Sequence, residues 1–190
     1  DVIGSGGKTI NKIIDETVSL AKKENKKRAK EISSEELEKR ALRIAIAAIF
    51  YGDLKNNRKS NALFDIKRFI SFDGDTGPYI LYSYARAGSI IEKSTITSKF
   101  EVNELEPKEI ELVKKLSEFP EVVSNAYKSL NPSLIANYSY TLAQIFNEFY
   151  HSCKVLGSSQ ETFRLALVQS FRQVLKNALK LLGIQTVEEM

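Results

Sequence analysis

From Pro78 to Leu182 apolar residues return every three or four positions, in segments separated by Pro107, Pro120, Asn131-Pro132 and Gly183. That spacing lines one side of a helix at 3.6 residues per turn, whereas the two-residue period of a half-buried strand is not sustained anywhere in the region. The pattern predicts helices over residues 78–93, from near Pro107 to Phe119 with Ile110, Val113 and Leu116 inward, and over E-V-V-S-N-A-Y-K-S-L after Pro120. A long helix then runs to about Ser152, and a last one from about Gln160 to Leu182. Ser158 and Glu161 read as a capping box for the last helix, and Gly183 as its left-handed C-terminal residue. Residues 78–190 are therefore expected to form an all-α bundle of about five helices.

Upstream the signals are mixed. Ile10, Ile13, Ile14, Val18 and Ala21 mark an amphipathic helix that dissolves into K-K-E-N-K-K-R-A-K, residues 22–30. Ser33 and Glu36 form a capping box at the head of a second helix through Leu37, Ala41, Ile44, Ala48 and Ile49 toward Tyr51-Gly52. Its stretch A-L-R-I-A-I-A-A-I-F is apolar enough to be buried on most sides. Residues 53–77 are rich in turn residues, and Phe64 to Ile70 fits a short strand or an irregular apolar segment equally well. Pro78 suits the first turn of a new helix, with Thr76 or Gly77 near the cap.

The opening Gly4-Ser5-Gly6-Gly7-Lys8-Thr9 invites comparison with a phosphate-binding loop. That loop needs a further glycine five residues before Gly7 and a strand ahead of it; position 2 is Val, and nothing precedes it that can form the strand. A flexible turn with Thr9 capping the next helix fits better. Other chemistry is bounded by two residues: Cys153 and His151 are the only cysteine and histidine, which excludes an internal disulfide and a cysteine-based zinc site. No catalytic or metal site is expected. No apolar run reaches the roughly 18 residues of a membrane span and no leader pattern is present, so a cytoplasmic protein without membrane or DNA partners is expected. The chain begins with Asp1 in a loop-like stretch, which reads as a piece of something longer. Its net charge of +4 lies wholly in residues 1–78. The 22–30 run, with Lys26, Lys27 and Arg28 at its centre, is either a solvated helix end and loop or a phosphate-contacting patch.

The segment P-Y-I-L-Y-S-Y-A-R-A-G-S-I-I has two faces. Ile80, Leu81, Tyr84, Ala85, Gly88 and Ile91 share a broad core side, while Tyr79, Tyr82 and Arg86 fall together opposite it. Two tyrosines and an arginine so placed suit stacking on unpaired bases and holding a phosphate or base edge. They also suit packing under polar loops with the hydroxyls satisfied. Tyr150, next to His151, is a second candidate of the same kind.

Three stretches carry a resemblance: A-I-F-Y-G-D-L-K-N-N-R, then F-D-I-K-R-F-I-S-F-D-G-D-T-G-P-Y-I-L-Y-S-Y-A-R, then R-L-A-L-V-Q-S-F-R-Q-V-L-K-N-A-L-K-L-L-G-I. In order and spacing they closely resemble the C-terminal portion of arginyl-tRNA synthetases. The resemblance implies that residues 1–77 are the end of a class I catalytic domain, beyond its Lys-Met-Ser-Lys-Ser type loop. It implies that residues 78–190 are a mainly α, helical anticodon-binding domain. Tyr79, Tyr82 and Arg86 fall on its anticodon-facing P-Y-x-x-Y-x-x-x-R positions, Tyr150 matches another, and Met190 matches the closing methionine near the anticodon. The implied partners are tRNA(Arg) and the remainder of the synthetase. No cofactor is implied for this piece, because ATP and Mg belong to the full-length parent, whose His-Ile-Gly-His type signature is missing here.

The chain departs from the family pattern in three places. Glu189 stands where the closing P-E-R-M has arginine, Ile66-Lys67 replaces a Trp-Asp pair, and G-S-G-G-K replaces a smoother polar connection. The expected role is recognition of the anticodon loop, positioning tRNA for arginine attachment elsewhere in the parent ligase. The alternative is a helical protein-interaction module that binds no RNA.

Overall fold

A computed structural model describes residues 10–28, 33–60, 65–94, 102 and 104–190. Among them every regular element is helical: α1 (Ile10–Arg28), α2 (Ser34–Leu54), α3 (Ile66–Phe69), α4 (Gly77–Glu92), α5 (Pro107–Ser117), α6 (Phe119–Ser129), α7 (Ser133–Ser152) and α8 (Glu161–Leu181). Gly4 to Thr9 lie outside the described residues. No described helix is long and apolar enough to cross a membrane.

Local chemistry explains most boundaries. The Ser33 hydroxyl accepts from the Glu36 N–H at 3.2 Å to start α2. The region around Ile66 forms one helical turn rather than a strand, because the Asp65 carboxylate accepts from the Lys67 and Arg68 amides at 3.0 and 3.3 Å. Thr76 caps α4, with Pro78 in its first turn. At the end of α8 the Ile184 N–H donates to Leu179 O and the Gly183 N–H to Lys180 O, with Gly183 left-handed at φ +71. That is the Schellman arrangement expected of a glycine after a helix. The other end of α8 differs from the expected capping box. Gln160 is the N-cap, Ser158 Oγ donates instead to Val155 O, and the Glu161 carboxylate accepts from the Gly157 N–H at 2.6 Å.

Helix α4 sits at the centre, packed against α2, α7 and α8; α5 packs on α7 and α8, α6 on α7, and α1 on α2. One core joins all of them, from Ala21, Ala41, Ile44 and Tyr51 to Phe146, Phe171 and Leu175. Phe146 and Phe171 stack with centroids 3.8 Å apart. The loop before α4 is fastened to α2: the Tyr51 hydroxyl donates to Asp75 Oδ1 at 2.5 Å, and Lys55 Nζ donates to Asp75 Oδ2 and O at 2.9 and 2.7 Å. Burial, with the Asp75 carboxylate beside it, pushes the Tyr51 phenol above its ordinary range, so it stays protonated and donates.

Helix α5 reverses the expected register. Ile110 and Val113 are exposed, and the buried line is Glu109, Leu112 and the half-buried Leu116. The cause is an ion pair that apolar periodicity cannot register. Glu109, fully buried, accepts from Arg164 Nε of α8 at 2.6 Å and from the Glu106 N–H at 2.7 Å. Arg164 also donates to Lys154 O at 2.9 Å, so one guanidinium ties α5, α8 and the α7–α8 loop together. Removing one member of a buried pair leaves the other charge without compensation. Glu109→Ala should therefore lower the unfolding free energy by about 3–5 kcal/mol in urea denaturation. A loss below about 1 kcal/mol, the size for an exposed pair, would contradict this.

Candidate nucleic-acid interface

The packing of α4 against α7 assembles four of the residues singled out from sequence. Asn147 of α7 faces α4, is nearly buried, and uses its whole side-chain amide there. Its Oδ1 accepts from Arg86 at 2.7 Å; its Nδ2 donates to the Tyr79 hydroxyl and to Ser83 Oγ, both at 2.9 Å. Ser83 in turn donates to the Tyr79 carbonyl at 3.0 Å. With every donor and acceptor engaged, the amide has one orientation, and the arginine has one position.

Arg86 then meets two rings. Its guanidinium carbon lies 4.7 Å from the centroid of Tyr82 and 5.5 Å from that of Tyr150, within the range of cation–π attraction, and it donates to the Tyr82 hydroxyl at 3.1 Å. No carboxylate among the described residues forms an ion pair with it. Tyr79, Tyr82 and Arg86 are half-buried, and Tyr150 is 38 % exposed at the C-terminal end of α7. The tyrosines differ in what they touch. Tyr79 is an anchor, with its hydroxyl taken by Asn147 and its ring edge-on to Tyr140 at 5.7 Å. Tyr82 and Tyr150 are the rings that reach solvent around the arginine.

The face is less separate from the core than helical geometry alone implied. Ser83, Ala87 and Ile90 are buried as well as Ile80, Leu81, Tyr84, Ala85 and Gly88, while Ile91 is only half-buried. Helix α4 is enclosed on most sides because α7 covers what a two-helix picture leaves open. Asn147 and Ser83 were not singled out from sequence, because each is one of several polar residues on its helix.

Met190 is half-buried against the shared core, behind the buried Ile184 and Val187. The acidic tail residues make intramolecular pairs: Glu188 with Arg172 of α8, and Glu189 with the nearly buried Arg40 of α2 at 3.4 Å. The residue that replaces the family's arginine thus ties the chain end to α2. Lys26, Lys27 and Arg28 belong to the last turn of α1, and their side chains lie outside the described residues. No group of three His, Cys, Asp or Glu able to hold a metal occurs among the described residues.

An all-helical module with a cation set between tyrosine rings in the groove of two central helices belongs to a known class. Residues 80–190 match the DALR anticodon binding domain, and the chain belongs to that family. Its relatives are more particular: the chain is 36% identical over 183 residues to the arginine--tRNA ligase of Pediococcus pentosaceus, covering 95% of itself and 32% of that protein. It is 44% identical over 161 residues to the arginine--tRNA ligase of Clostridium botulinum strain Alaska E43, covering 82% of itself and 29% of that protein. The structure superposes on Thermus thermophilus arginyl-tRNA synthetase with a TM-score of 0.92 at 30% identity, over 98% of this chain and 33% of that one. With the Plasmodium falciparum enzyme the values are 0.85 and 31%, over 96% and 34%. The chain thus spans about a third of the length of the relatives it matches.

Because Asn147 joins Tyr79, Ser83 and Arg86 through one buried amide, Asn147→Ala should cost about 1–3 kcal/mol of stability, the desolvation cost of groups left unpaired. It should also release Arg86, which would be seen as faster exchange of its guanidinium Nη–H protons with solvent in NMR. Unchanged stability and unchanged Arg86 exchange would contradict the bridging role.

Proposed function

We propose that this chain recognises the anticodon loop of an arginine-accepting tRNA. The observation that carries this reading is the Arg86 guanidinium, held by Asn147 between the rings of Tyr82 and Tyr150 and unpaired with any described carboxylate. Splayed single-stranded bases bind by stacking on such rings, and a fixed cation holds a phosphate or a base edge. In this reading residues 78–190 are the anticodon-binding domain and residues 1–77 the closing part of a catalytic domain. Fastening of Asp75 to Tyr51 and Lys55 then transmits the orientation of one to the other. ATP- and Mg-dependent attachment of arginine is the work of the part of the ligase that this chain does not span. The parent acts in the cytoplasm, with tRNA(Arg) and the remainder of the synthetase as partners. The protein-interaction alternative expects a broad apolar patch beside Tyr79 and Tyr82. The surroundings of Tyr82 and Tyr150 are instead cationic, with Arg86 between them, which favours RNA.

Each base stacked on an aromatic ring contributes about 1–3 kcal/mol. In titrations with an RNA stem-loop carrying an arginine anticodon, Tyr82→Ala and Arg86→Ala should each weaken binding about 5- to 150-fold, and Tyr127→Ala on α6 should not. Unchanged affinity in both of the first two variants would overturn the proposal.

A further inference from the structure

Beside Arg86 the surface opens into a cleft of about 430 Å³, lined from α4 by Arg86, Ser89, Ile90 and Lys93, and from α7 and the loop after it by Tyr150, His151, Lys154, Val155 and Leu156. Resting on the RNA reading above, we infer that this cleft takes a second nucleotide of the same loop, with its phosphate against Lys93 and Lys154 and its base against Ile90, Val155 and Leu156.

The lining has the chemistry of a nucleotide site. It carries three permanent cations and no carboxylate, so its field favours an anion. Some lysines elsewhere are engaged by acids, Lys22 with Glu38, Lys39 with Glu35, Lys55 with Asp75, Lys108 with Glu111 and Glu148, and Lys115 with Glu118, while Lys114 and Lys128 are not; what sets the cleft apart is that its cations converge on one apolar-walled hollow. Neither Lys93 nor Lys154 forms an ion pair with a described residue. The apolar wall suits the face of a base, and the Ser89 hydroxyl and His151 ring are the polar groups within reach of a base edge.

The loop side of the cleft is built rather than incidental. Lys154 is exposed between the buried Cys153 and Val155, and its carbonyl is held by Arg164, the guanidinium locked to buried Glu109. Beyond it the chain turns through left-handed Gly157, whose N–H donates to the Glu161 carboxylate, while Ser158 closes onto Val155 O at 3.1 Å. The buried Glu109–Arg164 pair thus fixes where the Lys154 side chain leaves the surface, one residue beyond His151-Ser152-Cys153 and in the same cleft as Tyr150. Stacking at Tyr82 and Tyr150 and phosphate capture at Lys154 are then adjacent parts of one binding track.

The test uses the 190-residue chain and the stem-loop RNA at several salt concentrations. Lys93 and Lys154 are exposed, so the double variant Lys93→Met/Lys154→Met keeps the fold; Lys114→Met/Lys128→Met, at exposed positions of α5 and α6, is the charge-matched control. One lost phosphate contact should reduce the slope of log affinity against log salt by about 0.7, with binding weakened several-fold at low salt, while the control leaves both unchanged. Wild-type affinity and slope in the double variant, together with weakened binding of Tyr82→Ala, would overturn the cleft assignment alone. An equal change of slope in Lys114→Met/Lys128→Met would overturn it too, by showing only a long-range effect of net charge. Unchanged binding of Tyr82→Ala and Arg86→Ala would overturn the RNA reading, and the cleft assignment with it.

Discussion

Helix α4 begins hard against the backbone of α2. A Cβ on Gly77 would lie 2.3 Å from the carbonyl oxygen of Ala47 and 2.6 Å from its carbon, so only a residue without a side chain lets α4 start against the middle of α2. Thr76 on one side and Pro78 on the other set the direction of the helix from that point. Asp75, two residues earlier, is gripped by Tyr51 and Lys55. The position of Tyr79 follows two residues after the contact, and those of Tyr82 and Arg86 one and two turns further on. The orientation of the candidate side chains is therefore set by a backbone contact with a helix that lies outside the DALR match.

Two polar devices then do what apolar packing cannot. Asn147 fixes the rotation of α4 against α7 by bonding three of its side chains, and Glu109 with Arg164 fixes the α7–α8 loop. Both are buried and fully hydrogen-bonded, the condition under which polar groups inside a protein specify geometry instead of costing stability. Both also adjoin the candidate site, one beneath Arg86 and the other beneath Lys154.

The helices were legible in the sequence because their ends are chemically marked: Ser33, Thr76, Pro107 and Gly183 act where their local chemistry says they should. Tyr79, Tyr82 and Arg86 were legible because a helix repeats. What escaped was set by tertiary partners. Helix α5 turned Ile110 and Val113 outward because Glu109 found Arg164 fifty-five residues away. Asp65 turned a stretch with loose strand alternation into a helical turn through a cap on its own amides. The expected box of Ser158 and Glu161 gave way because the same carboxylate closes the turn at Gly157. Asn147 carried no periodic signal, since an asparagine between Phe146 and Glu148 looks like any polar position until α4 is laid against it.

Tyr127 is 79 % exposed, far more than Tyr82 or Tyr150, and so provides an internal comparison for the claim that geometry, not exposure, selects the RNA-binding rings. The most direct measurement is an NMR titration of the chain, isotopically labelled at tyrosine rings and asparagine side-chain amides, with the anticodon stem-loop. The expected result is saturable shifts at Tyr82, Tyr150 and the Asn147 amide with Tyr127 unmoved. Shifts at Tyr127 with none at Tyr82, Tyr150 and Asn147 would contradict the site.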